Sequence, residues 1–149
     1  MKIMSYLQRK PKAILNTLLV DDHLILLEGI ERLVNELEGF HVIETASTVS
    51  SSLALIQSRK VELLITDYNL PDESGLTLIR EAKKLKPELK IIMLSMHDEA
   101  LLVKEVLKEG VDGYVLKKDT MSELTTALLA VKSGKTHLSS DISRLLVLD

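Results

Sequence analysis

Asp21 and Asp22 follow the apolar run Leu18-Leu19-Val20, Asp67 follows ELLIT, Ser95 closes IIMLS, and Lys117 follows GYVL. If those runs are strands lying parallel in one sheet, all five side chains meet at its carboxyl edge, where open α/β sheets bind ligands. Three carboxylates brought within a few ångströms repel, so the site must raise at least one pKa or recruit a cation. Mg²⁺ suits it, because that ion takes one or two protein carboxylates, keeps several waters and leaves room for phosphate oxygens. A phosphoryl group carried on Asp67 would present oxygens to the metal, to the Lys117 ammonium and to the Ser95 hydroxyl. That is the positioning and charge neutralisation phosphoryl transfer demands. Taken singly, each residue has an ordinary role: a strand-end Asp caps a helix, a serine ends a strand, a lysine is solvated. Capping accounts for Asp21 and Asp22 but not for Asp67, which NLPDES separates from the next helical pattern. The combination at successive strand ends carries the functional reading.

Positioning these residues requires five repeats of strand and helix. Short apolar runs span roughly Leu15 to Val20, His41 to Thr45, Leu63 to Thr66, Ile91 to Ser95 and Asp112 to Leu116. Several are apolar almost throughout, as strands covered on both faces must be. Between them the spacing turns helical: Leu26, Ile30, Leu33, Val34 and Leu37 share one face, and Leu124, Ala127, Leu128 and Val131 repeat that stripe. Gly39, Gly110 and Gly134 each sit just past an amphipathic run, where a left-handed residue closes a helix. Ser74 has the character of an N-cap for the third helix, and Thr120 with Glu123 has capping-box spacing for the last. The expected fold is α/β, a doubly wound (βα)₅ flavodoxin-like parallel sheet of five strands with helices on both faces.

One domain accommodates the 149 residues. The formal net charge of −3, with Lys and Arg spread along the chain, argues against a surface that grips nucleic acid directly. Without cysteine there are no disulfides, thiolate zinc sites or thiol nucleophiles. The opening MKIMSYLQRKPK is too short in apolar residues for a signal peptide, and no run approaches membrane-spanning length. A cytoplasmic location is the expectation.

The ordered motifs VDD, ITDYNLPDESG, MLS and GYVLKK, over about residues 14 to 138, resemble the receiver domain of two-component response regulators, a CheY-like phosphoacceptor switch. The resemblance implies that Asp67 accepts a phosphoryl group from a sensor histidine kinase in a Mg²⁺-dependent reaction. It implies metal ligation by Asp22 directly, by Asp21 mainly through water, by Asp67, and by the backbone carbonyl of Asn69. Lys117 and Ser95 would contact the phosphoryl group. Ser95 and Tyr114 would form the conformational switch, and Asn69 with His97 would tune dephosphorylation. Receivers of this kind are not enzymes acting on a separate substrate. An aspartyl-phosphate hydrolase of the haloacid dehalogenase type wants a second Asp two residues after the first, where this chain has Asn69.

Three positions depart from the commonest receiver pattern. Lys118 follows the lysine where many receivers have proline, so a trans bond is expected there. Met96 stands where a small residue is frequent, and His97 follows it. His23 reads as the first residue of helix one, bordering the acidic pocket, while His41 and His137 have no ligand spacing.

DDHLILLEGI, the LKK ending and SGKTHLSSDISRLL resemble receivers of NarL/LuxR-type transcription factors. The expected organisation is an extension over residues 1–13, a receiver over 14–138, and over 139–149 either the start of a linker to an output domain or the short tail of a stand-alone receiver that acts through protein–protein contacts. DNA would be reached only through that output domain, which this chain lacks. Homodimerisation through a helical face is the expected form of output.

Overall fold

The computed structural model describes residues 13–148. Six parallel strands are ordered β2-β1-β3-β4-β5-β6: β1 Leu15–Val20, β2 Phe40–Ala46, β3 Leu63–Asp67, β4 Lys90–Ser95, β5 Gly113–Leu116 and β6 His137–Leu138. The helices are α1 Leu24–Glu36, α2 Val49–Ser58, α3 Gly75–Leu85, α4 Ala100–Lys108, α5 Thr120–Lys132 and α6 Ser140–Leu148. The doubly wound α/β expectation holds, with six strands rather than five.

The sheet divides the core in two. One layer joins Leu18, Val20, Leu64, Ile91, Met93 and Tyr114 to α2, α3 and α4. The other joins Leu19, Ile65, Ile92, Leu94 and Val115 to α1 and α5. Strand residues alternate between these layers, as a period of two requires, and both layers are apolar because helices cover both faces. This explains why LLITD of β3 is buried from end to end.

Local signals account for the helix ends. Ser74 caps α3, its hydroxyl accepting from the Thr77 N–H. Gly39, Gly110 and Gly134 have φ of 93°, 83° and 85°, the left-handed conformation that ends a helix without a Cβ clash. The capping box at Thr120 does not form. Residues Lys117–Asp119 make a 3₁₀ turn that runs straight into α5, and the Thr120 hydroxyl is spent on the Lys117 carbonyl at 2.8 Å. The fifth strand begins at Gly113, because the Asp112 carboxylate turns to accept the Ile91 N–H. The fourth helix begins at Ala100.

The segment after Gly134 folds onto the domain. β6 extends the sheet beside β5 in the register Gly113↔His137 and Tyr114↔Leu138. α6 then packs against α4, with Ile142 fully buried in the same core as Tyr114. Ser139, also fully buried, accepts the Leu116 N–H on its hydroxyl at 3.0 Å.

Candidate functional site

The carboxyl ends of β1, β3 and β5 deliver Asp21, Asp67 and Lys117 to one point. Asp21 and Asp67 are each 2% exposed, and Lys117 reaches between them. Its Nζ donates to Asp67 Oδ2 at 2.8 Å and lies 2.9 Å from Asp21 Oδ2. Asp67 Oδ1 accepts the Asn69 N–H at 3.2 Å, so both oxygens of this carboxylate are held. Asp22 turns outward and stays exposed at the rim, as adjacent residues leaving a strand must.

Gly75 allows this crowding. A Cβ there would stand 2.2 Å from the Asp67 carbonyl oxygen and 2.8 Å from Tyr68 Cα. The start of α3 can therefore close against the end of β3 only without a side chain.

Burial pushes the Asp67 carboxyl above the usual carboxylate range and Asp21 pushes it the same way, while Lys117 and the Asn69 N–H oppose them. Burial alone would lower the Lys117 ammonium, but its contacts with Asp67 and Asp21 outweigh that and hold it above the ordinary lysine value. One cation thus serves two buried acids, a net negative site.

Ser95 and Tyr114, the expected switch pair, lie on β4 and β5. Ser95 is fully buried at the end of β4, and its hydroxyl accepts the His97 N–H at 2.9 Å. Tyr114 is fully buried, and its hydroxyl donates to the His97 carbonyl at 2.6 Å. Burial pushes the phenol up to about 12, against an opposing contact with the Ser95 hydroxyl. His97 Nε2 lies 3.3 Å from the Asn69 side-chain nitrogen and 3.4 Å from its oxygen, and the His97 ring meets Tyr68 edge-on at 5.2 Å. Met96 is exposed, and lines with Ser95, Asp98, Leu116, Lys117 and Lys118 a cavity of about 490 Å³ beside the acids. The Lys117–Lys118 bond is trans.

The structure therefore unites Asp21, Asp22, Asp67 and Lys117 directly, and sets Ser95, Tyr114, Asn69 and His97 around one loop beside them. One member was not anticipated. His23 Nδ1 lies 2.8 Å from Asp21 Oδ1, 3.3 Å from Asp22 Oδ1 and 3.5 Å from Lys117 Nζ. Its position directly after two acids was the available signal, and a helix-start role hid it.

The acids fit a hard divalent cation. Asp21, Asp22, His23 and Asp67 each offer one donor atom, all within 4.8 Å of one another, and the sheltered Asp21 Oδ2 faces a positive charge, the Lys117 ammonium at 2.9 Å. A parallel sheet of this order with three acids and a lysine at its carboxyl edge defines a phosphoacceptor receiver. The chain belongs to the response regulator receiver domain family, which matches residues 17–129.

Response regulator UvrY of Escherichia coli strain K12 is 31% identical over 134 residues, covering 90% of this chain and 62% of UvrY. The isolated receiver domain of RcsB from Salmonella enterica serovar Typhimurium, with the phosphomimetic BeF₃⁻, superposes with a TM-score of 0.84. It is 30% identical, with 89% of this chain and 98% of that one covered. RcsB from the same organism bound to promoter DNA gives 0.83 at 31% identity, covering 89% and 66%. The chain thus spans less than two thirds of the curated relatives' length. Among the described residues no helix is long and apolar enough to cross a membrane.

Proposed function

We propose that this chain receives a phosphoryl group on Asp67 from a histidine kinase and passes the change to an output domain that binds DNA. The observation that carries this reading is the Asp67 carboxylate at a sheet edge, anchored through both oxygens by Lys117 and the Asn69 N–H.

The chemistry assigns each residue a task. An Asp67 oxygen attacks phosphorus, the phosphorus–nitrogen bond of the donor phosphohistidine breaks, and the departing imidazole nitrogen keeps the bond's electron pair and takes up a proton. Lys117 favours the ionised form of Asp67 against the burial that opposes it and offsets the added phosphoryl charge. Asp21, Asp22, Asp67 and the Asn69 carbonyl would hold Mg²⁺, which when bound supplies neutralisation of phosphoryl oxygens. Asn69 and His97 stand over the approach to Asp67, where they govern access of hydrolytic water.

Signal transmission runs through Ser95. Its hydroxyl accepts the His97 N–H and would donate its own O–H to a phosphoryl oxygen, while Tyr114 is bonded to the carbonyl of that same His97. A local charge event therefore biases the β4–α4 loop and with it α4, against which α6 packs, and a homodimer would assemble through a helical face. The UvrY and RcsB resemblance supports a transcriptional output, and a cytoplasmic location follows from it.

Incubation with Mg²⁺ and a small acyl phosphate tests the acceptor role. Intact mass should show one added phosphoryl group, stable to acid and labile to base. Absence of that adduct in the wild-type chain would reject the reading.

A further inference from the structure

We infer that His23 is a further donor of the cation site, giving it an affinity for nitrogen-preferring divalent ions such as Co²⁺ that carboxylates alone would not provide. The inference rests on the acidic cluster being a cation site, and concerns which ion it prefers.

The ring is placed by its own backbone. The His23 N–H donates to Asp21 Oδ1 at 2.8 Å, and Nδ1 returns to that same oxygen at 2.8 Å. Although the side chain is 61% exposed, Nδ1 faces inward, 3.3 Å from Asp22 Oδ1. Donors on adjacent corners of an octahedron with bonds of about 2.1 Å stand about 3 Å apart, which matches both separations. The bland role, capping α1, is not the one the side chain plays, because the ring makes no capping hydrogen bond. A second observation also points to a cation: Asp21 Oδ2, on a residue 2% exposed, is turned into the cluster, where it has no well-aligned hydrogen bond and already draws the Lys117 ammonium to 2.9 Å.

Chemistry then separates the ions. Imidazole suits cobalt, nickel, copper and zinc, whereas carboxylate and water suit magnesium, and affinity rises along the first-row series. Co²⁺ binding through Nδ1 would displace the ring's hydrogen bond to Asp21 Oδ1, leaving the neutral imidazole with its N–H at Nε2. Mg²⁺ keeps its waters and its oxygen ligands, so the ring adds little to it. Lys117, 3.5 Å from Nδ1, opposes both ions alike.

Calorimetric titration of the full chain with Co²⁺ and, separately, with Mg²⁺ tests this in the wild type, His23→Asn and Asp22→Asn. His23→Asn should weaken Co²⁺ binding by about tenfold or more, leave Mg²⁺ within about twofold, and change the visible Co²⁺ spectrum. Unchanged Co²⁺ affinity, or equal weakening of both ions, overturns the role of His23. Failure of the wild type to bind Mg²⁺, or indifference of Mg²⁺ to Asp22→Asn, instead overturns the cation-site reading beneath it.

Discussion

Lys117 Nζ stands 2.8 Å from Asp67 Oδ2, joining the end of β5 to the end of β3 across the intervening β4. Because the same ammonium also touches Asp21 at 2.9 Å, it is the shared counterion of two buried carboxylates. Removing one partner of a buried ion cluster strands the others, at a cost of about 3–5 kcal/mol. Lys117→Ala should therefore lower unfolding free energy by about 3 kcal/mol in chelator-treated protein. Added Mg²⁺ should recover part of the loss, since it replaces the missing positive charge. Urea denaturation with and without Mg²⁺ reads both effects, and a variant as stable as wild type in chelator would contradict the shared-counterion role.

Tyr114 ties stability to alkaline pH. Its phenol ionises at about 12 in the folded chain because burial disfavours the charged form, against about 10 in the unfolded chain. Between those values the unfolded state binds fewer protons, so stability falls as pH rises from about 10 towards 12. Lys117, also raised in the folded state, acts in the same direction. Ultraviolet titration should show a late tyrosinate step in the wild type that Tyr114→Phe removes. A wild type whose tyrosines all titrate near 10 would show that Tyr114 is not sealed in the core.

The tail is a structural part of the domain. Ile142→Ala should cost about 2–5 kcal/mol, as expected for a fully buried isoleucine. Ser139→Ala should cost about 1–3 kcal/mol, because the buried Leu116 N–H loses its acceptor. Thermal or urea unfolding measures both. Near-neutral values would mean that residues after Gly134 are only draped on the sheet.

Gly75 makes a sharper steric prediction. Gly75→Ala places a methyl group 2.2 Å from the Asp67 carbonyl oxygen, so the β3–α3 loop must shift and take Asp67 with it. Phosphorylation rate should fall at least tenfold, about 1.4 kcal/mol of barrier, with a loss of stability by urea denaturation. An unaltered rate would show that the loop absorbs the change without moving the acceptor.

Much of this was legible in the residues. Asp21, Asp67, Ser95 and Lys117 each end an apolar run, and a parallel sheet leaves one place for such ends to meet. Ser74 announced its helix through a local hydrogen bond, and Gly39, Gly110 and Gly134 through backbone conformation. What stayed hidden depended on tertiary contacts. β6 has two residues, too few for any period, and exists only because Gly113 and Tyr114 offer it an edge. Thr120 and Glu123 carry the spacing of a capping box, yet the preceding 3₁₀ turn claims the Thr120 hydroxyl. His23 was hidden by a plausible local role, since spacing cannot show which way a ring at a helix start will face.

The central claim is that Asp67, and no other carboxylate of the cluster, carries the phosphoryl group. Borohydride reduction of the acyl-phosphate-treated chain, followed by peptide sequencing in the mass spectrometer, converts a phosphorylated aspartate to homoserine and marks its position. Homoserine is expected at position 67 alone, and is lost when the acyl phosphate is omitted. Homoserine at 21 or 22, or a phosphoryl adduct that persists in Asp67→Ala, would contradict it.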